Sequence, residues 1–193
     1  MRPGHAGAVD DLTHLALAAR DGDGAAAAAF VRAGQGDVWR LAAHLVDRGA
    51  ADDVTQETFE RALRSLRSFR GEASARTWLL TIARRTCADT IRRRTRERAR
   101  EARMRAVAVD GASVAPEPTA ELDALVADLD PDRRTAFVLT QLLGYGYAEA
   151  AAVCGCPIGT IRSRVSRARA DLLAGMAAGG LADDDDDPTV RPG

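Results

Sequence analysis

The chain has 193 residues, enough for one domain of ordinary size or two small ones, and its 4% aromatic content with heavy use of alanine favours helices over sheet. No apolar run approaches the roughly 20 residues needed to span a bilayer, the first residues lack the apolar core of a secretion signal, and three cysteines without export features fit a reducing cytoplasm. The net charge of -1 conceals segregation, with eleven arginines against three acids from Arg76 to Arg105, seven acids and no base from Asp110 to Asp132, and an acidic run from Asp183 to Asp187.

In chain order, residues 1–8 read as a disordered start. Val9 to Arg20 and Ala25 to Arg32 read as short helices broken by Asp21-Gly-Asp-Gly, and Val38 to Val46 as another. Asp52 to Leu66 is a strongly amphipathic helix. Thr55, Phe59, Ala62, Leu63 and Leu66 share its expected core face, and Asp53, Glu57, Glu60 and Arg64 the opposite one, with Val54 off the core stripe as if a partner covered it. That polar face suits plain solvation or a docking partner. Ser68 to Ser74 is a loop ending in an N-cap serine, and an arginine-rich helix follows from Ala75 into the high 90s.

Gly111, Pro116 and Pro118 interrupt periodicity, so residues 103–119 are expected to form a flexible acidic linker. The reading is all-α, with two small helical domains at 9–102 and 120–178 and a disordered acidic tail at 179–193. In the second domain a helix carries Leu122, Leu125, Val126 and Leu129. Asp130 caps the next helix with Pro131 at its first position, and this helix runs to about Leu143 before the turn at Gly144-Tyr-Gly146.

From Tyr147 the pattern is helix, glycine turn at Gly155, and a second helix opened by Pro157. Ile158, Ile161, Val165, Ala168 and Leu172 form its apolar stripe. Gly159, Thr160, Ser163, Ser166 and Arg167 point the other way, flanked by Arg162 and Arg164. Small, hydroxylated and guanidinium-bearing residues opposite an apolar stripe suit a DNA major groove. Such a helix-turn-helix alone implies DNA binding, and an ordinary transcriptional regulator that is no polymerase subunit remains the second reading.

Three collinear segments resemble the extracytoplasmic-function sigma factors of bacteria, closest to the actinobacterial sigma-C type. They run from Asp52 to Ala62 (Asp-Asp-Val-Thr-Gln-Glu-Thr-Phe-Glu-Arg-Ala), from Phe69 to Arg84, and from Gly155 to Arg169. The resemblance covers most of Asp37 to Leu173 and implies conserved region 2 at 9–102 and region 4 at 120–178. It implies that Asp52, Asp53, Gln56 and Glu57 contact core RNA polymerase at its β′ clamp helices, with the β subunit also a partner. It implies that Phe69, Arg76, Trp78, Arg84, Arg85, Asp89, Arg92 and Arg93 engage the -10 element and trap a flipped base. It implies that Thr160, Arg162, Ser163, Arg164, Ser166 and Arg167 read the -35 element. Many family members carry asparagine where Arg85 stands, which leaves the captured base open. Trp78 suits core packing or base stacking equally.

No nucleophile–base pair, phosphate loop or metal-ligand spacing is visible, so no catalytic residue, metal or cofactor is expected, and an enzyme acting on nucleic acid is disfavoured. Cys154 and Cys156 read as packing residues at a turn rather than zinc ligands, Cys87 as core, and His5, His14 and His44 as scattered. The family is often restrained by an anti-sigma factor, though no residue here identifies one. The acidic tail suits a solvated end or a fold-back onto Arg162 to Arg169.

Overall fold

Alanine-rich segments joined by short capped turns make every labelled element a helix in the computed structural model, which describes residues 5–104 and 124–178. The first half comprises α1 (His5–Arg20), α2 (Gly24–Leu45), α3 (Ala51–Ser65) and α4 (Ala75–Met104). The second comprises α5 (residues 124–128), α6 (Pro131–Phe137) continuing into a π-helical turn (Val138–Leu142), α7 (Tyr147–Cys154) and α8 (Ile158–Ala178). The linker expectation falls on residues outside the described ones except at Arg103 and Met104, which belong to α4, and the tail expectation lies wholly outside them.

Side chains start the helices by satisfying their first free N–H groups. Asp23 accepts from Ala25 N (2.8 Å) and Ala26 N (3.0 Å) at α2, and Asp130 from Asp132 N (3.0 Å) and Arg133 N (3.2 Å) at α6. Ser74 Oγ accepts from Thr77 N at α4 (3.2 Å). Gly155 takes the left-handed conformation (φ 65°) that closes α7. α8 starts at Ile158, one residue later than the sequence suggested, with Pro157 O accepting from Ile161 N (3.3 Å).

One expectation fails instructively. The segments expected as separate helices at 25–32 and 38–46 form a single α2 that runs through Gly34-Gln-Gly36. Each glycine weakens an isolated helix by about 1 kcal/mol, but Gly34 sits where α2 crosses α3 and α4. A Cβ there would lie 2.7 Å from Leu79 Cδ2 and 3.3 Å from Phe59 Cζ. Close packing of three helices therefore overrides local propensity. Gly34→Val is expected to overpack this crossing and lower stability by about 2 kcal/mol, read as a fall in the denaturation midpoint.

Phe30, Leu41, Val54, Leu79 and Leu80 centre the first half, and Leu139, Val153, Ile161 and Val165 the second. The two halves also touch, α4 against α7 and α2 against α6 and its π-helical extension. That seam decides how the functional faces are presented.

Candidate functional site

On α8 the periodic stripe packs as expected at Ile161, Val165, Ala168 and Leu172, while Ile158 at the helix start stays exposed. Opposite it, Arg162, Ser163, Ser166 and Arg167 are exposed and Thr160 half-buried. Arg164 is different. Its guanidinium turns back to an ion pair with Asp132 and donates to Cys156 Sγ (3.6 Å), tying α8 to the start of α6.

On α3 the helix is rotated from the orientation its sequence suggested. Val54, expected to await a partner, is 1% exposed within the chain's own core, whereas Leu63, expected in the core, is 41% exposed. The reason is that α2 and α4 both pack on α3, and the side each takes is not encoded in α3's own periodicity. The acidic residues consequently part company. Glu57 accepts from Arg61 Nη2 on its own helix (2.6 Å) and turns toward α4, lying 3.9 Å from Arg93 Nη1. Asp52 and Gln56 instead line an open groove of about 810 Å³ between α2 and α3, with Val31, Trp39, Phe59, Glu60 and Leu63. Asp53 is exposed but not part of that lining.

Sequence reasoning missed Trp39 in this groove. Its indole Nε1 donates to Asp52 Oδ1 (2.9 Å), and Thr55 Oγ1, also lining the groove, is buried with no hydrogen-bond partner. The scarcity of aromatics in the chain was the available signal.

On α4, Trp78 is half-buried, its ring centroid 4.9 Å from that of Phe69 and 6.4 Å from that of Phe30. It also borders a cleft of about 220 Å³ formed by residues 68–73. Core packing and an accessible edge thus coexist. Arg85, Arg92 and Arg93 are exposed. Asp89 accepts from Arg61 Nη1 (2.7 Å) and Arg92 Nη2 (2.5 Å), and the Arg61 bond, reinforced by Arg92, holds its carboxyl below the usual range. An acid among arginines here fixes their positions.

Two arginines of the expected DNA face point into the seam. Arg76 Nε donates to Asp37 Oδ2 (2.7 Å), and its guanidinium lies 5.3 Å from the ring centroid of Tyr145, a cation–π distance. Burial works to raise the Asp37 pKa, but Arg76 and Arg40 outweigh it and hold the carboxyl below its ordinary value. Arg84 Nε donates to Val153 O (3.2 Å), and on the far side Arg134 Nη1 donates to Leu45 O (3.1 Å). Burial pushes the Tyr145 phenol upward, and the neighbouring Asp37 carboxylate adds to the rise.

Burial likewise raises the Cys87 thiol to about 12 and the Cys154 thiol to about 11. Among the described residues no group of three or more His, Cys, Asp or Glu side chains gathers that could hold a metal ion, and no helix is long and apolar enough to cross a membrane.

Family models for Sigma-70 region 2 and Sigma-70 region 4 match residues 30–97 and 119–172. A probable RNA polymerase sigma-C factor of Mycobacterium bovis is 53% identical over 166 residues, covering 84% of this chain and 90% of the relative. The ECF RNA polymerase sigma factor EcfG of Rhodopseudomonas palustris is 38% identical over 151 residues, covering 73% and 79%. Among solved structures, CnrH in complex with the cytosolic domain of CnrY superposes with a TM-score of 0.66 at 29% identity, covering 87% of this chain and 98% of that one. The sigma factor RpoE in complex with the anti-sigma factor NepR from Bartonella quintana gives a TM-score of 0.57 at 30% identity, covering 74% and 91%.

Proposed function

The chain belongs to the extracytoplasmic-function sigma factors, of the sigma-C type, and on that premise we propose how its helices divide the work of an alternative sigma factor that directs RNA polymerase to promoters. Region 2, residues 9–102, docks on the β′ clamp helices of core polymerase through the α2–α3 groove and its acidic rim, with Asp52, Asp53 and Gln56 in contact. Glu57 acts one step back, holding Arg61 and Arg93. Region 4, residues 120–178, reads -35 duplex through Thr160, Arg162, Ser163, Ser166 and Arg167, while Arg164 fixes the helix that carries them.

The cleft between Phe69 and Trp78 takes an unpaired -10 base, and Arg85, Arg92 and Arg93 hold the strand's phosphates. Stacking on an aromatic side chain contributes about 1–3 kcal/mol per base, comparable to the few kcal/mol that flipping a base requires. Arg76 and Asp89 serve as positioning residues. Polymerase performs the chemistry, so the chain works in the cytoplasm without a catalytic centre or cofactor of its own. An anti-sigma factor, of the kind bound to solved relatives, would compete for the same groove.

This reading requires the halves to part. Elements named -35 and -10 lie about 25 base pairs apart, roughly 85 Å along B-form duplex. In the closed arrangement Val153 bonds Arg84 of α4, and α8 starts five residues later, at most about 18 Å of chain away. The 19 residues from 105 to 123 span at most about 65 Å when extended, which together with the two halves bridges the promoter. Arg84 becomes available to DNA only after that opening.

The observation carrying the proposal is that one chain holds an acid-rimmed apolar groove on α2–α3 and two arginine-bearing faces on α4 and α8. Run-off transcription with reconstituted holoenzyme over a genomic fragment library tests it: specific starts absent with core polymerase alone are expected. Arg167→Ala is expected to flatten the slope of log affinity for -35 duplex against log salt by about one unit, the signature of one lost phosphate contact, measured by anisotropy from 50 to about 200 mM salt.

A further inference from the structure

We propose that Trp39 is a contact and positioning residue for core polymerase, an assignment that rests on the docking reading above. Trp39 on α2 reaches across to α3 and donates its indole N–H to Asp52 Oδ1 at 2.9 Å. An exposed aspartate otherwise moves among rotamers, so this bond selects one and leaves Oδ2 to meet a partner. The Trp39 ring also lines the groove beside Val31, Phe59 and Leu63.

The chemistry around the ring defines the occupant. The groove is apolar along its wall, carries Asp52 and Glu60 among its lining together with Arg40, whose guanidinium is paired with Asp37, and contains the unpaired Thr55 hydroxyl. It therefore fits a helix of the polymerase that presents apolar side chains together with a guanidinium or ammonium. A cation drawn to Asp52 lies beside the indole, where the ring quadrupole adds attraction. One side chain thus orients the carboxylate and helps hold the cation the carboxylate recruits. Tryptophan is enriched among residues that dominate interface affinity for such reasons.

A double-mutant cycle on the full chain, with affinity for core polymerase measured by competition, separates this from a structural role. Trp39→Phe keeps a ring and removes the N–H that orients Asp52, and is expected to weaken binding about 5-fold, the scale of one hydrogen bond. Asp52→Ala is expected to weaken binding about 10-fold, and the double variant also about 10-fold because the two residues act as one unit. Trp39→Leu removes the ring's attraction for the cation as well and is expected to weaken binding further, to about the level of Asp52→Ala. Circular dichroism and -35 duplex binding report whether each variant folds. If Asp52→Ala weakens binding but Trp39→Phe matches the parent, or if the two losses multiply to about 50-fold, the role of Trp39 is refuted and the docking reading stands. If Asp52→Ala has no effect on binding, the docking reading falls and the assignment with it.

Discussion

Reversing charge at Asp52 and Glu60 together, as Asp52→Arg with Glu60→Arg, is expected to lower affinity for core RNA polymerase by on the order of 100-fold, since like charges facing each other across an interface cost several kcal/mol. Both side chains are exposed and line the groove, so the fold should survive. The informative control is Glu57→Arg. That carboxylate bonds Arg61 and lies 3.9 Å from Arg93, so reversing it should disturb the α3–α4 network and stability more than docking. Retention of the double variant on core polymerase, compared with the parent, checks the prediction, and equal retention would count against the groove as the docking site.

The contrast between Asp52 and Glu57 shows what a sequence can and cannot disclose. The α8 face was legible because a 3.6-residue stripe from Ile161 to Leu172 specifies one buried side and, by elimination, the opposite one. The capping of α6 by Asp130 and Pro131 and the turn at Gly155 were legible for a similar reason, since each depends on residues a few positions apart. α3 was not, because two neighbours flank it. Val54 faces the core and Leu63 the groove only once α2 and α4 have taken their sides. Gly34 misled for the same reason, as a residue poor for a helix alone is needed where three helices meet.

The site residues divide along the same line. Arg85, Arg162 and Arg167 stay at the surface, as a local reading expects. Arg76, Arg84 and Arg164 are taken up by Asp37, Val153 and Asp132, partners 39, 69 and 32 residues away. Trp39 escaped notice because its partner Asp52 is 13 residues off and on another helix. The family resemblance implied DNA contacts for all of these arginines; their ion pairs and backbone bonds sort them into contacts and supports.

Tyr145 should control how readily the halves part, and replacing its ring with a charge is expected to open them. Its ring covers Arg76, and its buried hydroxyl lies beside Asp37. Tyr145→Phe keeps the ring over Arg76, so the closed arrangement should persist. Tyr145→Arg instead removes the ring and crowds a third guanidinium onto Asp37 beside Arg76 and Arg40, and the seam should open. Opening frees Arg84 from Val153 and uncovers α4. The free Tyr145→Arg chain is therefore expected to bind a labelled unpaired -10 strand about 10-fold more tightly than the parent, a gain of about 1.4 kcal/mol, with a larger radius of gyration in small-angle scattering. Binding to -35 duplex should be unchanged, because Arg162, Ser163, Ser166 and Arg167 are already exposed in the closed arrangement, and that constancy also certifies a folded region 4. A radius of gyration and strand affinity identical in the Phe, Arg and parent chains would mean that Tyr145 does not hold the seam.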